Sequence, residues 1–212
     1  IGTLDFDLKS FKNAAEQMLD LANRLDQIGL EINIIDMGGG LGVRYIDEET
    51  SAPAELMEIY QDVFSGANKS IFLEPGRSIA ANAGILLAKV EYLKNNFLIT
   101  DAAMNDLLRP ALYRANHQVV PLLEQNSSQN KVDVVGPVCE SGDYLAKEAK
   151  LEIKEDEFLA IRTAGAYGFV MSSNYNSRPR ACEIIVEGDD FRLIRQRESH
   201  DDLFKHEIDL LK

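Results

Sequence analysis

The sequence predicts an α/β unit followed by a separate, mostly antiparallel β domain. Three observations carry that prediction. The first eighty or so residues alternate a helix-period segment with a short apolar run. Each apolar run there ends in a glycine turn, "GGGLG" (38–42) and "EPGR" (74–77). Past about residue 82 the pattern changes to short β-like runs divided by turn residues. With 212 residues, 45% hydrophobic and 27% charged, the chain can build one large domain or two small ones. The boundary is drawn between 1–81 and 82–212.

Residues 10 to 28 place Phe11, Ala14, Ala15, Met18, Leu21, Ala22, Leu25 and Ile28 on one helical face. Gly29 follows in the position favoured at a helix C-terminus. "EINIIDM" (31–37) reads as a buried strand, nearly continuous in apolarity as parallel strands are. A second helix is expected at 53–64, with Ser51 as a possible cap and Pro53 in the first turn. "SIFL" (70–73) reads as a second strand. This order is that of an α/β barrel or a doubly wound sheet. Beyond it, "ILLAKVEYL", "NFLITDA", "QVVPLL", "KVDVVGP", "FLAIRTA", "RACEIIVEG" and "FRLIRQR" are the expected strands. "NDLLRPALYRA" (105–115) is a short helical segment, and "EQNSSQN" (124–130) a polar loop. Ser199 and Asp202 form the capping pair of a last helix.

A net charge of −13 argues against a nucleic-acid partner, which needs a basic face. No apolar run reaches the roughly 18 residues of a membrane span. The opening "IGTLDFDLKSF" has neither the basic start nor the apolar core of a signal peptide. Two cysteines cannot make a disulfide framework, which favours a reducing, cytoplasmic setting. His117, His200 and His206 are wrongly spaced for a metal site, so no metal is expected.

The glycine loops suggest anion binding, because glycines let backbone N–H groups approach a phosphate closely. A tight turn would explain "GGGLG" as well. The run fails the dinucleotide fingerprint at Val43 and lacks the ending of a P-loop. In "EPGR", Arg77 suits phosphate or carboxylate. Glu74 beside an anion site calls for a cation, and the pyridinium of pyridoxal phosphate is one. A surface Glu–Arg pair is the bland alternative. "GPVCESGD" (136–143) sets Cys139 against Glu140 at a turn. Packing is the default for a free cysteine, and it is the reading for Cys182 in "RACEIIVEG".

"IIDMGGGLGVRY", "FLEPGRSIAANAG", "ITDAAMNDLLRPALY", "DVVGPVCESGDYLAKE" and "TAGAYGFVMSSNYNSRPRACEIIVEG", in this order, resemble the diaminopimelate decarboxylases. The resemblance runs nearly end to end. It implies a β/α (TIM-like) barrel followed by a β domain, and decarboxylation of meso-diaminopimelate to L-lysine with pyridoxal 5'-phosphate. It implies that Gly40, Gly76 and Arg77 hold the cofactor phosphate or its surroundings, that Glu74 pairs with the pyridinium, and that Tyr167 touches cofactor and substrate. Arg77, Arg109 and Tyr113 would bind substrate, Glu140 would grip its distal ammonium, and Cys139 would donate a proton. It further implies a homodimer in which the Cys-Glu turn reaches the other subunit's site.

The residue chemistry agrees with these roles. The substrate has an amino acid head at each end, so the far head needs a cation for its carboxylate and an anion for its ammonium. Arg109 and Tyr113 are four apart, hence on one helical face. A site built to pair both charges rejects substrates lacking one. A thiol with an ordinary value of about 8.5 is a competent acid, and an adjacent carboxylate disfavours its thiolate.

The family pattern also holds an early lysine that anchors the cofactor as a Schiff base. None of the eleven lysines stands in its Tyr-x-x-Lys-Ala context. The opening "IGT" resembles a family segment just after its cofactor-stacking histidine. The sequence is therefore read as a C-terminal portion, lacking the Schiff-base lysine and inactive alone. Two other readings are a non-catalytic, dimerising or regulatory relative, and a sister decarboxylase for another diamino acid or carboxylated polyamine.

Overall fold

The computed structural model describes residues 2–123 and 131–207. The chain divides into two compact units, Ile1–Ala83 and Gly84–Lys212. The "EQNSSQN" loop lies outside the described residues.

The first unit alternates helix and strand. Helix α1 (Leu8–Gln27) starts two residues before the periodic stretch, because the Asp7 carboxylate caps it by accepting from the Lys9 N–H at 2.9 Å. It ends as its sequence predicts: Gly29 follows with φ +85°, which L side chains avoid. Strand β1 (Ile34–Asp36) pairs in parallel with β2 (Ser70–Phe72). Helix α2 (Pro53–Val63) lies between them in sequence, with Pro53 in its first turn. Its cap is not Ser51. Ala52 takes the cap position, and Glu55 reaches back to the Ala52 N–H at 2.7 Å. Phe11, Ala15 and Ala22 of α1 and Tyr60 of α2 join Ile35 and Met37 in one core. Both helices therefore cover the same face of the strand pair. The expectation of a strand buried throughout is corrected: Ile34 is 56% and Phe72 53% exposed, so the opposite face is open within the unit.

The second unit is built on a mixed sheet. Its strands are β3 (Leu86–Lys94), β4 (Phe97–Thr100), β5 (Val119–Pro121), β6 (Lys131–Val135), β7 (Tyr144–Lys150) and β8 (Phe158–Ile161). Among the described residues the order is β5-β8-β3-β4-β6-β7. All pairs are antiparallel except β4 with β6. β7, "YLAKEAK", is not among the strands its sequence predicts. Its charged residues Lys147, Glu148 and Lys150 are exposed, while Leu145 enters the core. Leu98, Leu107, Val134, Leu145, Leu159 and Ile161 form that core. Each side chain buried this fully contributes about 1.5–3 kcal/mol.

A one-turn helix, α3 (Arg77–Ala80), closes the first unit, and α4 (Arg109–Tyr113) is equally short. Strands β9 (Glu183–Glu187) and β10 (Asp190–Arg195) form a separate hairpin. The apolar run "RACEIIVEG" is thus a strand, yet Ile184 is 54% and Val186 67% exposed. Cys182 precedes the strand and is half-buried, short of the full burial its packing reading implies. Helix α5 (His200–Phe204) has the predicted cap, Ser199 Oγ accepting from the Asp202 N–H and Asp202 Oδ2 from the Ser199 N–H at 2.8 Å. Removing the centre of the sheet core by Leu98→Ala should cost roughly 2–5 kcal/mol, read as a lower midpoint in urea unfolding.

Candidate functional site

In the first unit the two glycine turns lie side by side. They extend the C-terminal ends of the adjacent parallel strands β1 and β2, where α/β proteins place their ligands. The Glu74 N–H donates to the Gly38 carbonyl at 2.8 Å. A Cβ on Gly39 would stand 2.3 Å from the Glu74 carbonyl oxygen, so only glycine permits this approach. Gly40 has φ +105°, a glycine conformation, and its carbonyl accepts from the Asp5 N–H at 2.9 Å. Glu74 is exposed and Arg77 half-buried. The Arg77 guanidinium donates to the Tyr45 hydroxyl at 2.5 Å and to Thr3 Oγ1 at 3.1 Å, and stacks over the Tyr45 ring. The turns thus set Gly40 on one loop and Glu74, Gly76 and Arg77 on the next, at the same end of the strand pair. A guanidinium, glycine backbone and a carboxylate are residue types that fit pyridoxal phosphate, which needs donors at its phosphate and a carboxylate at its ring nitrogen.

In the second unit the Cys139 turn is held by one buried carboxylate. Asp143, 5% exposed, accepts from the Met104 N–H with Oδ1 and from the Val138 N–H with Oδ2, both at 2.7 Å. Burial pushes the Asp143 carboxyl up, and the two N–H groups oppose that. A Cβ on Gly136 would meet Asp143 Oδ2 and Ala103 Cα at 2.6 Å, so this glycine makes room for the clamp. Cys139 and Glu140 emerge exposed at the tip of the turn.

Glu140 Oε1 accepts from Ser141 Oγ at 3.1 Å, and Oε2 from the Tyr175 hydroxyl at 3.3 Å. The Ser141 hydroxyl, then the Gly142 N–H and the Tyr175 hydroxyl, hold the Glu140 carboxyl below its ordinary range. The Glu140 charge in turn pushes the Tyr175 hydroxyl up. Two arginines secure the segment carrying Tyr175. Arg178 donates to Asn105 Oδ1 at 2.9 Å and to the Asp101 carbonyl at 2.5 Å. Arg180 binds Glu198 Oε1 at 2.8 and 2.6 Å, and Asn174 donates to Glu198 Oε2 at 2.7 Å.

Arg109 and Tyr113 share the single turn of α4, yet their environments differ. Arg109 is 5% and Tyr113 63% exposed. The helix stops at Arg114, which is left-handed at φ 53°. Arg109 Nη1 meets His117 Nε2 at 2.9 Å. Tyr167 sits in "TAGAYG" with φ 63°, a conformation costing a bulky residue about 1–3 kcal/mol. Its turn is tight: Cβ atoms on Gly84 and Gly168 would lie 2.6 Å from Gly165 Cα and 2.2 Å from the Ala164 carbonyl oxygen.

Residues 13–165 match the family of pyridoxal-dependent decarboxylases, C-terminal sheet domain. The diaminopimelate decarboxylase of Pseudomonas aeruginosa is 46% identical over 98% of this chain and 51% of its own length. That of Aquifex aeolicus is 42% identical over 99% of this chain and again 51% of its own. The crystal structure of the Helicobacter pylori enzyme complexed with L-lysine superposes with a TM-score of 0.91 at 41% identity, covering 97% of this chain and 52% of that one. The chain belongs to the pyridoxal-dependent decarboxylase family, and it spans about half the length of the relatives it matches. Among the described residues no helix is long and apolar enough to cross a membrane.

The sequence singles out Gly40, Glu74, Gly76, Arg77, Arg109, Tyr113, Cys139, Glu140 and Tyr167. It does not single out His117, Asp143, Tyr175 and Tyr45, the groups that touch them. Asp143 carried a usable signal, the glycine–aspartate ending of a tight turn; His117 carried none. Of the lysines, Lys69 is engaged by Asp26 and the Ile32 carbonyl, and Lys89 by Asp156 at 2.7 Å.

Two outcomes are expected. Asp143→Ala leaves two N–H groups without their acceptor and should cost roughly 1–3 kcal/mol for each, measured by urea unfolding. Arg180 and its neighbours hold the Glu198 carboxyl down at about 2, below its ordinary 4.5. Its contribution is then complete above pH 4.5 and fades as pH falls toward 2. Glu198→Gln should flatten the pH dependence of stability across that window.

Proposed function

We propose that this chain is the C-terminal half of a pyridoxal-phosphate-dependent diaminopimelate decarboxylase, which converts meso-diaminopimelate to L-lysine. One observation carries the reading: Arg109 and Glu140, the two opposite charges that the far head of this substrate requires, each have side-chain partners that hold them in place. The covering of one face of β1 and β2 by both helices supports reading the first unit as part of a β/α barrel. Its other strands, and the lysine that anchors the cofactor, would come from the half that the full-length relatives possess. The acidic, thiol-bearing chain fits a cytoplasmic enzyme. The exposed Cys139–Glu140 turn fits a homodimer with shared sites.

Gly40, Gly76 and Arg77 would hold the cofactor phosphate and its surroundings, and Glu74 its ring nitrogen. When bound, pyridoxal phosphate supplies the electron sink that lets the substrate α-carbon lose CO2. Arg77, Arg109, Tyr113 and Tyr167 orient the substrate, with Arg109 on the distal carboxylate and Glu140 on the distal ammonium. The Cys139 thiol holds the proton that replaces CO2 at that carbon, as a general acid. Tyr175 keeps Glu140 in place and ionised.

The chain alone should release no CO2 from meso-diaminopimelate. Co-expressed with the N-terminal half of the Pseudomonas aeruginosa relative, it should release CO2 and form L-lysine. Release by the chain alone would overturn the reading. In the assembled enzyme Cys139→Ala should lower kcat on the order of 10²–10⁴-fold. Ornithine, which lacks the distal carboxylate, should be rejected by roughly 10⁴ in kcat/KM.

A further inference from the structure

The Arg109 guanidinium is held by a side chain to which nothing so far gives a role. We propose that His117 is a positioning residue. As a neutral imidazole with its proton on Nδ1, it orients Arg109 toward the distal carboxylate of the substrate. The inference rests on the reading that Arg109 binds that carboxylate.

The protonation state follows from the partners. A guanidinium only donates hydrogen bonds, so His117 Nε2, 2.9 Å from Arg109 Nη1, must accept. A backbone carbonyl only accepts, so His117 Nδ1, 2.9 Å from the Arg162 carbonyl oxygen, must carry the proton. One tautomer satisfies both contacts. An imidazolium satisfies only one and sets a second positive charge against Arg109. Both side chains are buried, at 3% and 5% exposure, where such a conflict is costly. The Arg109 guanidinium, 2.9 Å from the ring, favours its neutral form.

The ring itself is fixed by the sheet. β5 pairs with β8, Val119 opposite Ile161. Just before that pairing the Arg162 N–H donates to the Gln118 carbonyl at 2.8 Å. His117 and Gln118 therefore grip Arg162 through backbone and side chain together. The left-handed turn at Arg114 folds the chain back so that His117 reaches Arg109 eight residues away. A neutral acceptor suits this position, because it orients the guanidinium without adding the negative charge that an Asp or Glu would bring against the incoming carboxylate.

The test uses the assembled enzyme. Asparagine can keep the donor to Arg162 but withdraws the acceptor from Arg109. Glutamine can place an acceptor where Nε2 stood. His117→Asn should raise KM for meso-diaminopimelate about 10- to 100-fold, with a smaller change in kcat, and His117→Gln should recover most of that loss. The slow turnover of ornithine should not follow the same pattern. Nitrogen NMR of labelled His117 should report an unprotonated Nε2 from about pH 5 to 8. A protonated Nε2, or a KM untouched by His117→Asn while Arg109→Ala raises it, would overturn the positioning role and leave the substrate assignment standing. A KM that Arg109→Ala leaves unchanged would instead remove the reading on which the inference rests.

Discussion

The buried carboxylate of Asp143 is the constraint on which the exposed Cys139–Glu140 turn depends. A turn that exposes a thiol and a carboxylate side by side has no reason of its own to stay in one place. Asp143 accepts two short hydrogen bonds, one from the Met104 N–H in the segment after β4 and one from the Val138 N–H within the turn. Burying a carboxylate is unfavourable, and the raised Asp143 value records that cost. The N–H groups of Met104 and Val138 offset it, and would themselves be orphaned without the carboxylate. Gly136 belongs to the same arrangement, because any side chain there would strike the clamp. The turn is thereby fixed to the framework of the sheet.

Around this clamp the arginines divide their work. Arg178 and Arg180 lie in "NSRPRA": one binds the Asn105 side chain and the Asp101 carbonyl, the other the Glu198 carboxylate. They secure the segment from which Tyr175 donates to Glu140. Arg109 also meets a histidine, and Arg77 a tyrosine hydroxyl.

The Tyr167 turn shows a third device. Its left-handed backbone is unfavourable for an aromatic residue, and it persists because Gly84, Gly165 and Gly168 let neighbouring strands close around it. The glycine loops at the ends of β1 and β2 use the absence of a side chain for another purpose: they let two backbones approach closely, Gly39 lying against the Glu74 carbonyl.

Sequence alone determined whatever is local. The span of α1 followed from a repeat of apolar residues and Gly29, and the start of α5 from the pairing of Ser199 with Asp202, because helix periods and caps act within a few residues. The glycine turns, the Cys139–Glu140 pair and the family resemblance were legible for the same reason: each is a contiguous motif. Only the tertiary structure decided the rest. β7 hid among lysines and glutamates because its strand character comes from pairing with β6. The strand "RACEIIVEG" was legible as a strand, but the exposure of Ile184 and Val186 was not, since apolarity states what a side chain prefers and not what lies across from it. Arg109 was legible as sharing a helical face with Tyr113, but its burial against His117 depends on the left-handed turn at Arg114 and the pairing of β5 with β8. The contacts Asp143–Met104, Arg178–Asn105 and His117–Arg162 join residues separated by 39, 73 and 45 positions. No local pattern encodes a partner at that distance; the sheet register brings the two together.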